Sequence, residues 1–385
     1  MIAGPVRLRG IAWDHSRGFT PMIATSQRYG ELHPNVEIHW EKRSLQAFAD
    51  SPIERLTESF DLLVVDHPFA GFADKHRVLL ELYEHLPATE RADFSANSVG
   101  ASQRSYEVGP RCWALAIDAA TPISGWREDL LAEQRLLPPD DWTELLDFAR
   151  HGLVAVAGIP VDCLMNFFMF CHAHGAEPCT SREHVVPPEV GIPALEMQHE
   201  LMRLLPQDTW TSNPIRIWER LAASSGKPAY CPFAYGYSNF ARFGYAPHVL
   251  RFGGLPAFRG HRLRPTLGGT GIAISARCRH VTEALDYARH LASPLWQRTL
   301  YFESGGQPAH RAVWTDEEVN RRANGFFVNT LTTLESSWVR PRYCGYLDFQ
   351  DHGGIIVRDF LIGRAGARPT LAALDVAYRA SLASA

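Results

Sequence analysis

The residues most able to do chemistry stand at the ends of two apolar runs. Trp13-Asp14-His15 closes the first, and Asp66-His67-Pro68 follows Leu62-Leu63-Val64-Val65. Two carboxylate–imidazole pairs placed this way can move a proton or hold a metal ion. Hydrogen bonding within each pair, without metal, is the simpler reading and the one adopted. Plainer roles compete at each position: Asp14 suits the cap of a following helix, His67-Pro68 a turn, and Trp13 the core. A second group, Cys163, Cys171 and Cys179, recurs every eight residues with His172 and His174 among them. It reads as small buried hydrophobes on a helix, because Cys is among the most buried residue types. There is no Gly-x-Ser-x-Gly elbow, no His-Glu-x-x-His and no phosphate loop, and Gly268-Gly269-Thr270-Gly271 lacks the full dinucleotide spacing.

These residues must be positioned by elements that the hydrophobic pattern predicts. Residues 6–13 read as a strand. Phe19, Met22, Ile23 and Tyr29 follow at helical spacing. Val36, Ile38 and Trp40 alternate with Glu37, His39 and Glu41, a two-residue period. Leu45, Phe48, Ala49, Ile53 and Leu56 form a helical stripe, and residues 61–66 a short, nearly all-apolar strand of the kind covered on both faces. Strand, helix, strand, helix, strand describes a doubly wound unit. Ligands of such sheets sit beyond the carboxyl ends of the strands, where Trp13-Asp14-His15 and Asp66-His67 fall. Further on, helices are expected at 141–150 (capped by Pro139-Asp140), 161–174, 194–205, 213–224, 281–291 and 347–363, with strands at 153–157, 228–239 and 272–274.

The bulk numbers narrow the class. At 385 residues the chain exceeds one comfortable core, so two lobes are expected. A formal net charge of −4 and the absence of any Lys/Arg stripe argue against nucleic-acid binding. No run of about 18 apolar residues could span a membrane. Seven cysteines without a Cys-x-x-Cys pair suit free thiols in a reducing compartment. Residues 1–10 do not read as a signal peptide.

Residues 267–314, from Leu-Gly-Gly-Thr-Gly-Ile-Ala-Ile-Ser to Gly-Gly-Gln-Pro-Ala-His-Arg-Ala-Val-Trp, closely resemble the C-terminal signature of family 1 extracellular solute-binding proteins, the maltose-binding-protein-like receptors of ABC importers. The resemblance implies an α/β, periplasmic-binding-protein-like (type II) fold. Two doubly wound lobes would be joined by hinge crossings, with a ligand cleft between them. Lobe 1 would comprise 1–117 and 270–337, and lobe 2 118–269 and 338–385. It also implies the ligand contacts. Asp14 with its neighbours Trp13 and His15, and Asp66 with His67, match strand-end turns that face the cleft in that family. Asp118, before Thr121-Pro122, matches the first crossing and is the leading candidate for a ligand acceptor; Gly125 stands where relatives often carry an aromatic residue. Asn166 lies on a helix whose start points into the cleft, and Tyr235, with Tyr237 close behind, matches a cleft aromatic. Trp338, Tyr343 and Tyr346 match the third crossing and its loop.

Rings to stack on C–H faces, with Asp, Asn and His to bond hydroxyls, suit a carbohydrate or polyol. The same rings and carboxylates suit a quaternary amine, while Arg17, Arg111, Arg340 and Arg342 keep an anion open. The resemblance therefore implies a monomeric solute-binding protein for ABC-type import, with permease subunits as partners, no cofactor, no metal and no catalytic residue. Its compartment would be periplasmic or extracellular, and cytoplasmic if the chain is full length without a signal. The alternative is a cytoplasmic enzyme or ligand sensor that reuses the cleft for a small polar metabolite.

Overall fold

The structure is a computed structural model that describes residues 5–44 and 53–383. The front of the expected stripe, Leu45, Phe48 and Ala49, lies outside the described residues. The strands used below are β1 (Val6–Trp13), β2 (Val36–Arg43), β3 (Leu62–Val65), β4 (Leu115–Ala120), β5 (Pro122–Trp126), β6 (Tyr230–Tyr235), β7 (Arg251–Gly253) and β8 (Gly268–Ile274). The helices are α1 (Phe19–Leu32), α2 (Phe69–His76), α3 (Pro160–Ala173), α4 (Pro188–Met202), α5 (Val281–Ala292), α6 (Phe326–Glu335), α7 (Tyr346–Leu361) and α8 (Ala367–Ala383).

The chain divides into two compact units, one made of Met1–Ala120, Gly268–Val319 and Arg342–Cys344, the other of Thr121–Leu267, Asn320–Pro341 and Gly345–Ala385. The expected lobe boundaries differ from this division in four places, 118–120, 268–269, 320–337 and 342–344. Asp118, Ala119 and Ala120 pair with Thr270, Gly269 and Gly268 inside the first unit's sheet, so this unit keeps them. Residues 320–337, expected in lobe 1, join the second unit because Phe326 of α6 packs on Phe252 of β7 with ring centroids 5.0 Å apart. Arg342–Cys344 returns to the first unit. There the Arg342 guanidinium donates to the carbonyls of Arg104, Ser105 and Glu107, at 2.8, 3.3 and 2.6 Å.

The first unit is built on a sheet of order β2-β1-β3-β8-β4. β1 runs parallel to β2 and β3, while β8 runs antiparallel to β3 and β4. Pattern explains position. Every residue of β3 is buried, as an interior strand requires, whereas β2, at the edge, alternates between buried and exposed residues. Leu8, Val64, Ile117, Ile272 and Leu291 share one core with Met22 and Tyr29 of α1. β8 begins earlier than expected, because Gly268 and Gly269 continue its pairing with β4 before a register shift between Thr270 and Gly271. Gly269 has φ +109°, and a Cβ there would lie 2.3 Å from the Asp118 carbonyl oxygen, so glycine is required by both backbone and space.

The second unit has a three-stranded antiparallel sheet of order β6-β5-β7. The expected strand at 153–157 is a buried run that contributes a single parallel bridge, Val154 with Tyr230. Its core is helical. Residues Asp162 through Cys171 of α3 are all buried, which is what a helix apolar on every side must be. α4 and α7 pack on α3, and α8 packs on α4 and α7. Gly354 lets α7 approach closely, since a Cβ there would lie 2.6 Å from the Pro160 carbonyl oxygen. The helix Trp142–Arg150 is capped by Asp141, whose carboxylate accepts from the Glu144 N–H at 2.9 Å, one residue on from the expected cap. All seven cysteines are free, and Cys163 and Cys171 lie inside α3 as packing groups. Among the described residues no helix is long and apolar enough to cross a membrane.

The close approach of β8 to β4 sets a test. Gly269→Ala is expected to destabilise the protein by about 2–3 kcal/mol in urea unfolding. Gly226→Ala, at a position with nothing within 4 Å of a built Cβ, should change it little. Equal midpoints for the two variants would contradict the argument.

Candidate functional site

In the first unit the turn after β1 is tied down by its own backbone. The His15 N–H donates to the Trp13 carbonyl at 2.9 Å, and the Gly18 and Phe19 N–H groups donate to the His15 carbonyl at 2.9 and 2.8 Å. Trp13 folds back over this turn: a Cβ at Gly18 would lie 2.3 Å from the indole. Trp13 is 4% exposed and belongs to the core cluster. Its expected role as a stacking surface for ligand is corrected to core packing, because the ring is the natural cover for the end of an apolar strand. Asp14 points outward and pairs with Lys42 at 2.9 Å. It does not cap α1, whose N-terminal cap is Gly18.

The same turn sends Arg17 inward to Asp118 on β4. Arg17 Nε donates to Asp118 Oδ2 at 2.8 Å, and a second guanidinium N–H donates to Oδ1, making a two-pronged pair. Both side chains are inside the protein, 5% and 0% exposed. Burial pushes the Asp118 carboxyl above the ordinary carboxylate range; the Arg17 charge and hydrogen bond pull it back, and the nearby Asp66 charge pushes it up again. Asp118 is thus not presented to a ligand as expected: both its oxygens are engaged by Arg17. The Gly305-Gly306-Gln307 turn closes over it. Gln307 Nε2 donates to the Ala119 carbonyl at 2.7 Å, and the Ala119 N–H to the Gln307 carbonyl at 3.2 Å.

Around this pair the structure gathers His15, Asp66 and His67. His15 Nδ1 accepts the Arg17 N–H at 2.9 Å, which assigns its proton to Nε2. Burial and then the Arg17 charge lower the His15 pKa to about 4, with Asp14 opposing, so the ring is neutral at physiological pH. Asp66, partly exposed, accepts the His67 N–H at 2.8 Å and has the His67 ring nitrogen Nδ1 at 3.2 Å. The buried His67 ring meets Tyr106 edge-on at 6.4 Å, and Tyr106 is anchored by its hydroxyl to the Val65 carbonyl at 3.2 Å. Tyr343 is half-buried on the strap seated over α2, where a Cβ at Gly71 would collide with the Arg342 carbonyl.

In the second unit Tyr235 ends β6, half-buried, with its hydroxyl 2.8 Å from the Thr266 hydroxyl and its carbonyl accepting the Trp218 indole N–H at 2.8 Å. The ring is therefore held in one orientation. Asn166 is 4% exposed on α3. One turn earlier Asp162, which sequence reasoning missed, is 6% exposed, and its Oδ2 has no hydrogen-bond partner. The two stand four residues apart on one face of α3. Burial raises the Asp162 pKa to about 7. Only its position in a nearly unbroken apolar run could have flagged it. Trp338 and Tyr346 are corrections. Trp338 is 5% exposed and packs edge-on against Phe168 and His172 at 5.5 and 5.4 Å. Tyr346 is fully buried against Phe349 at the start of α7. Both rings are core of the second unit, because the chain there runs into a packed helix and not an open loop.

No protein-family model and no curated protein matches the chain. Solved structures do. Maltose-bound MalE3 of T. maritima superposes with a TM-score of 0.83 at 17% identity, over 97% of this chain and 99% of that one. An ABC transporter solute-binding protein of Agrobacterium radiobacter in complex with ribitol gives 0.81 at 16%, over 98% and 99%. One from Thermotoga lettingae bound with α-D-tagatose gives 0.84 at 15%, over 98% and 100%. The fold is that of the type II periplasmic binding proteins. At such identities the likeness establishes architecture, and the side chains must carry the rest of the argument.

Two outcomes check the electrostatics. Asp118→Ala leaves the buried guanidinium without its counter-charge and should cost roughly 3–5 kcal/mol in chemical denaturation, more than the double change Arg17→Met with Asp118→Leu. A double variant less stable than the single would contradict this. Asp162, with a folded pKa of about 7, keeps a proton that the unfolded chain releases from about pH 4 upward, so its contribution to stability falls as pH rises through that window. Asp162→Asn should therefore stabilise the protein at pH 8 by roughly 1–3 kcal/mol and hardly at all at pH 4. Equal gains at both pH values would exclude the buried carboxyl as their source.

Proposed function

We propose that the chain is a maltose-binding-protein-like solute-binding protein that takes a carbohydrate or polyol for ABC-type import. The observation that carries this is the near-complete superposition on proteins solved with maltose, ribitol and tagatose. The polar groups support an uncharged ligand. Arg17 is neutralised by Asp118, and His15 is held neutral, so nothing in this group favours an anion. A quaternary amine needs a cage of rings, and Trp13, Trp338 and Tyr346 are committed to the cores. Hydroxyl groups match the donor and acceptor types of the proposed set: the imidazole of His15, the carboxylate of Asp66, and the amide and carboxyl groups of Asn166 and Asp162. Asp14, His67 and Tyr343 complete the proposed ligand-binding set, and Tyr235 supplies a fixed ring for a sugar C–H face. In this role the protein works as a monomer outside the cytoplasmic membrane and delivers its ligand to permease subunits.

A thermal-shift screen of mono- and oligosaccharides and polyols, set beside amino acids, dicarboxylates and choline, tests the reading. At least one sugar or polyol should bind with one-to-one stoichiometry in calorimetry and be recovered unchanged after overnight incubation. Tyr235→Ala should then weaken binding by roughly 1–3 kcal/mol. Stabilisation by charged compounds alone, or chemical conversion of the bound sugar, would overturn the proposal.

A further inference from the structure

A separate cluster on the first unit joins the end of α1 to α5. His33 is the C-terminal cap residue of α1. Asp286 and His290 lie four residues apart on α5 and hence on one face of it. Each of the three offers one ligand atom, and these atoms all lie within 4.8 Å of one another. His33 Nε2 is 3.8 Å and His290 Nδ1 3.6 Å from Asp286 Oδ2. Ligand atoms about a tetrahedral zinc ion with bonds near 2.0 Å stand roughly 3.3 Å apart, so small side-chain rotations close the set around an ion.

The surroundings are those of a built site. Tyr29 donates its hydroxyl to Asp286 Oδ2 at 2.7 Å. This bond orients the carboxylate through the same oxygen that faces the two imidazoles, leaving Oδ1 and the second lone pair of Oδ2 for an ion. The Tyr29 ring stacks on His33 at 4.2 Å and meets Tyr287 edge-on at 5.4 Å. Tyr287 in turn exchanges a hydrogen bond of 2.8 Å with Thr25 on α1. The two ligand-bearing helices are therefore locked together by core packing, and the donors sit on rigid elements. The side chains of His33, Asp286 and His290 are 37%, 33% and 36% exposed, enough for an ion to enter from solvent.

We propose that His33, Asp286 and His290 bind a borderline divalent transition-metal ion, zinc first, with the remaining position left to water. Two imidazoles and one carboxylate are donors that zinc, cobalt and nickel accept and that calcium and magnesium do not favour. Binding uses the His290 tautomer with its proton on Nε2. It gives up the contact of Nδ1 with the Asp286 main-chain oxygen, 2.9 Å away. The ion would clamp the C-terminal end of α1 to α5, at the opposite end of α1 from Arg17 and independent of the proposed sugar ligand.

The experiment uses the whole 385-residue chain without a tag. Cobalt(II) titration followed by visible absorption should show one saturable, low-symmetry site from which one equivalent of zinc displaces the cobalt. Zinc at about a hundredfold its Kd should raise the melting temperature of the transition that reports the first unit by roughly 5–10 °C. His33→Gln and His290→Gln should each weaken binding at least tenfold. His352→Gln should leave it unchanged; it alters a comparable exposed imidazole that lies 2.8 Å from the Asp348 carbonyl. Circular dichroism confirms that each variant is folded; His33, at an exposed helix cap, is the safest to change. Absence of saturable binding in the wild type, or wild-type affinity in folded His33→Gln, would overturn the proposal.

Discussion

A guanidinium and a carboxylate that are both almost wholly buried, Arg17 and Asp118, hold the first unit's polar group in place. Removing two charges from solvent is costly, and the cost is offset only by a good two-pronged geometry with further hydrogen bonds. Here the geometry is present, and neighbouring elements are shaped to keep it. β8 must pass close enough to the Asp118 backbone that only glycine fits at position 269. The Gly305-Gly306-Gln307 turn closes over the β4 end through paired contacts with Ala119. The Arg17 main chain fixes the His15 ring, and the Asp118 carboxylate feels the Asp66 charge. One buried pair thereby ties the end of β1 to β4 beside Asp66 at the end of β3, and the Arg17 charge adds to the burial that keeps His15 neutral.

The second unit solves a different problem. α3 is buried on all sides, so its neighbours must come close, and small residues on α7 permit it. Against that apolar background Asp162 is conspicuous. A lone buried carboxyl is destabilising once ionised, and folded chains that retain one at such a position commonly use it. Asn166, one turn along the same face, makes the pair a short polar stripe inside a hydrophobic helix.

Much of the architecture was legible because hydrophobic period maps directly onto strand and helix. The alternation of Val36, Ile38 and Trp40 and the solid apolar run 62–65 mark an edge strand and an interior strand, which is where β2 and β3 lie. Strand ends were legible for the same reason, and His15, Asp66 and His67 follow the ends of β1 and β3. Partnership across the chain was not legible. Arg17 and Asp118 are 101 positions apart, and residue type alone marked each only as a charged group of open purpose. Aromatic residues failed in a consistent way. A ring suits a core and a binding surface equally well, and Trp13, Trp338 and Tyr346 went to the core because each borders an element that packs. The boundary error at 320–337 has a similar cause: α6 chooses its unit through Phe326, and a side-chain contact of that kind leaves no periodic trace.

The most direct test of the account is a crystal structure with the sugar or polyol that binds best. The account predicts ligand hydroxyls within hydrogen-bond distance of His15 Nε2 and the Asp66 carboxylate, with the Arg17–Asp118 pair intact behind them. A ligand seated away from both residues, or one that displaces Arg17 from Asp118 to pair with it directly, would contradict the claim that this buried pair is scaffold and that the groups around it are the binding surface.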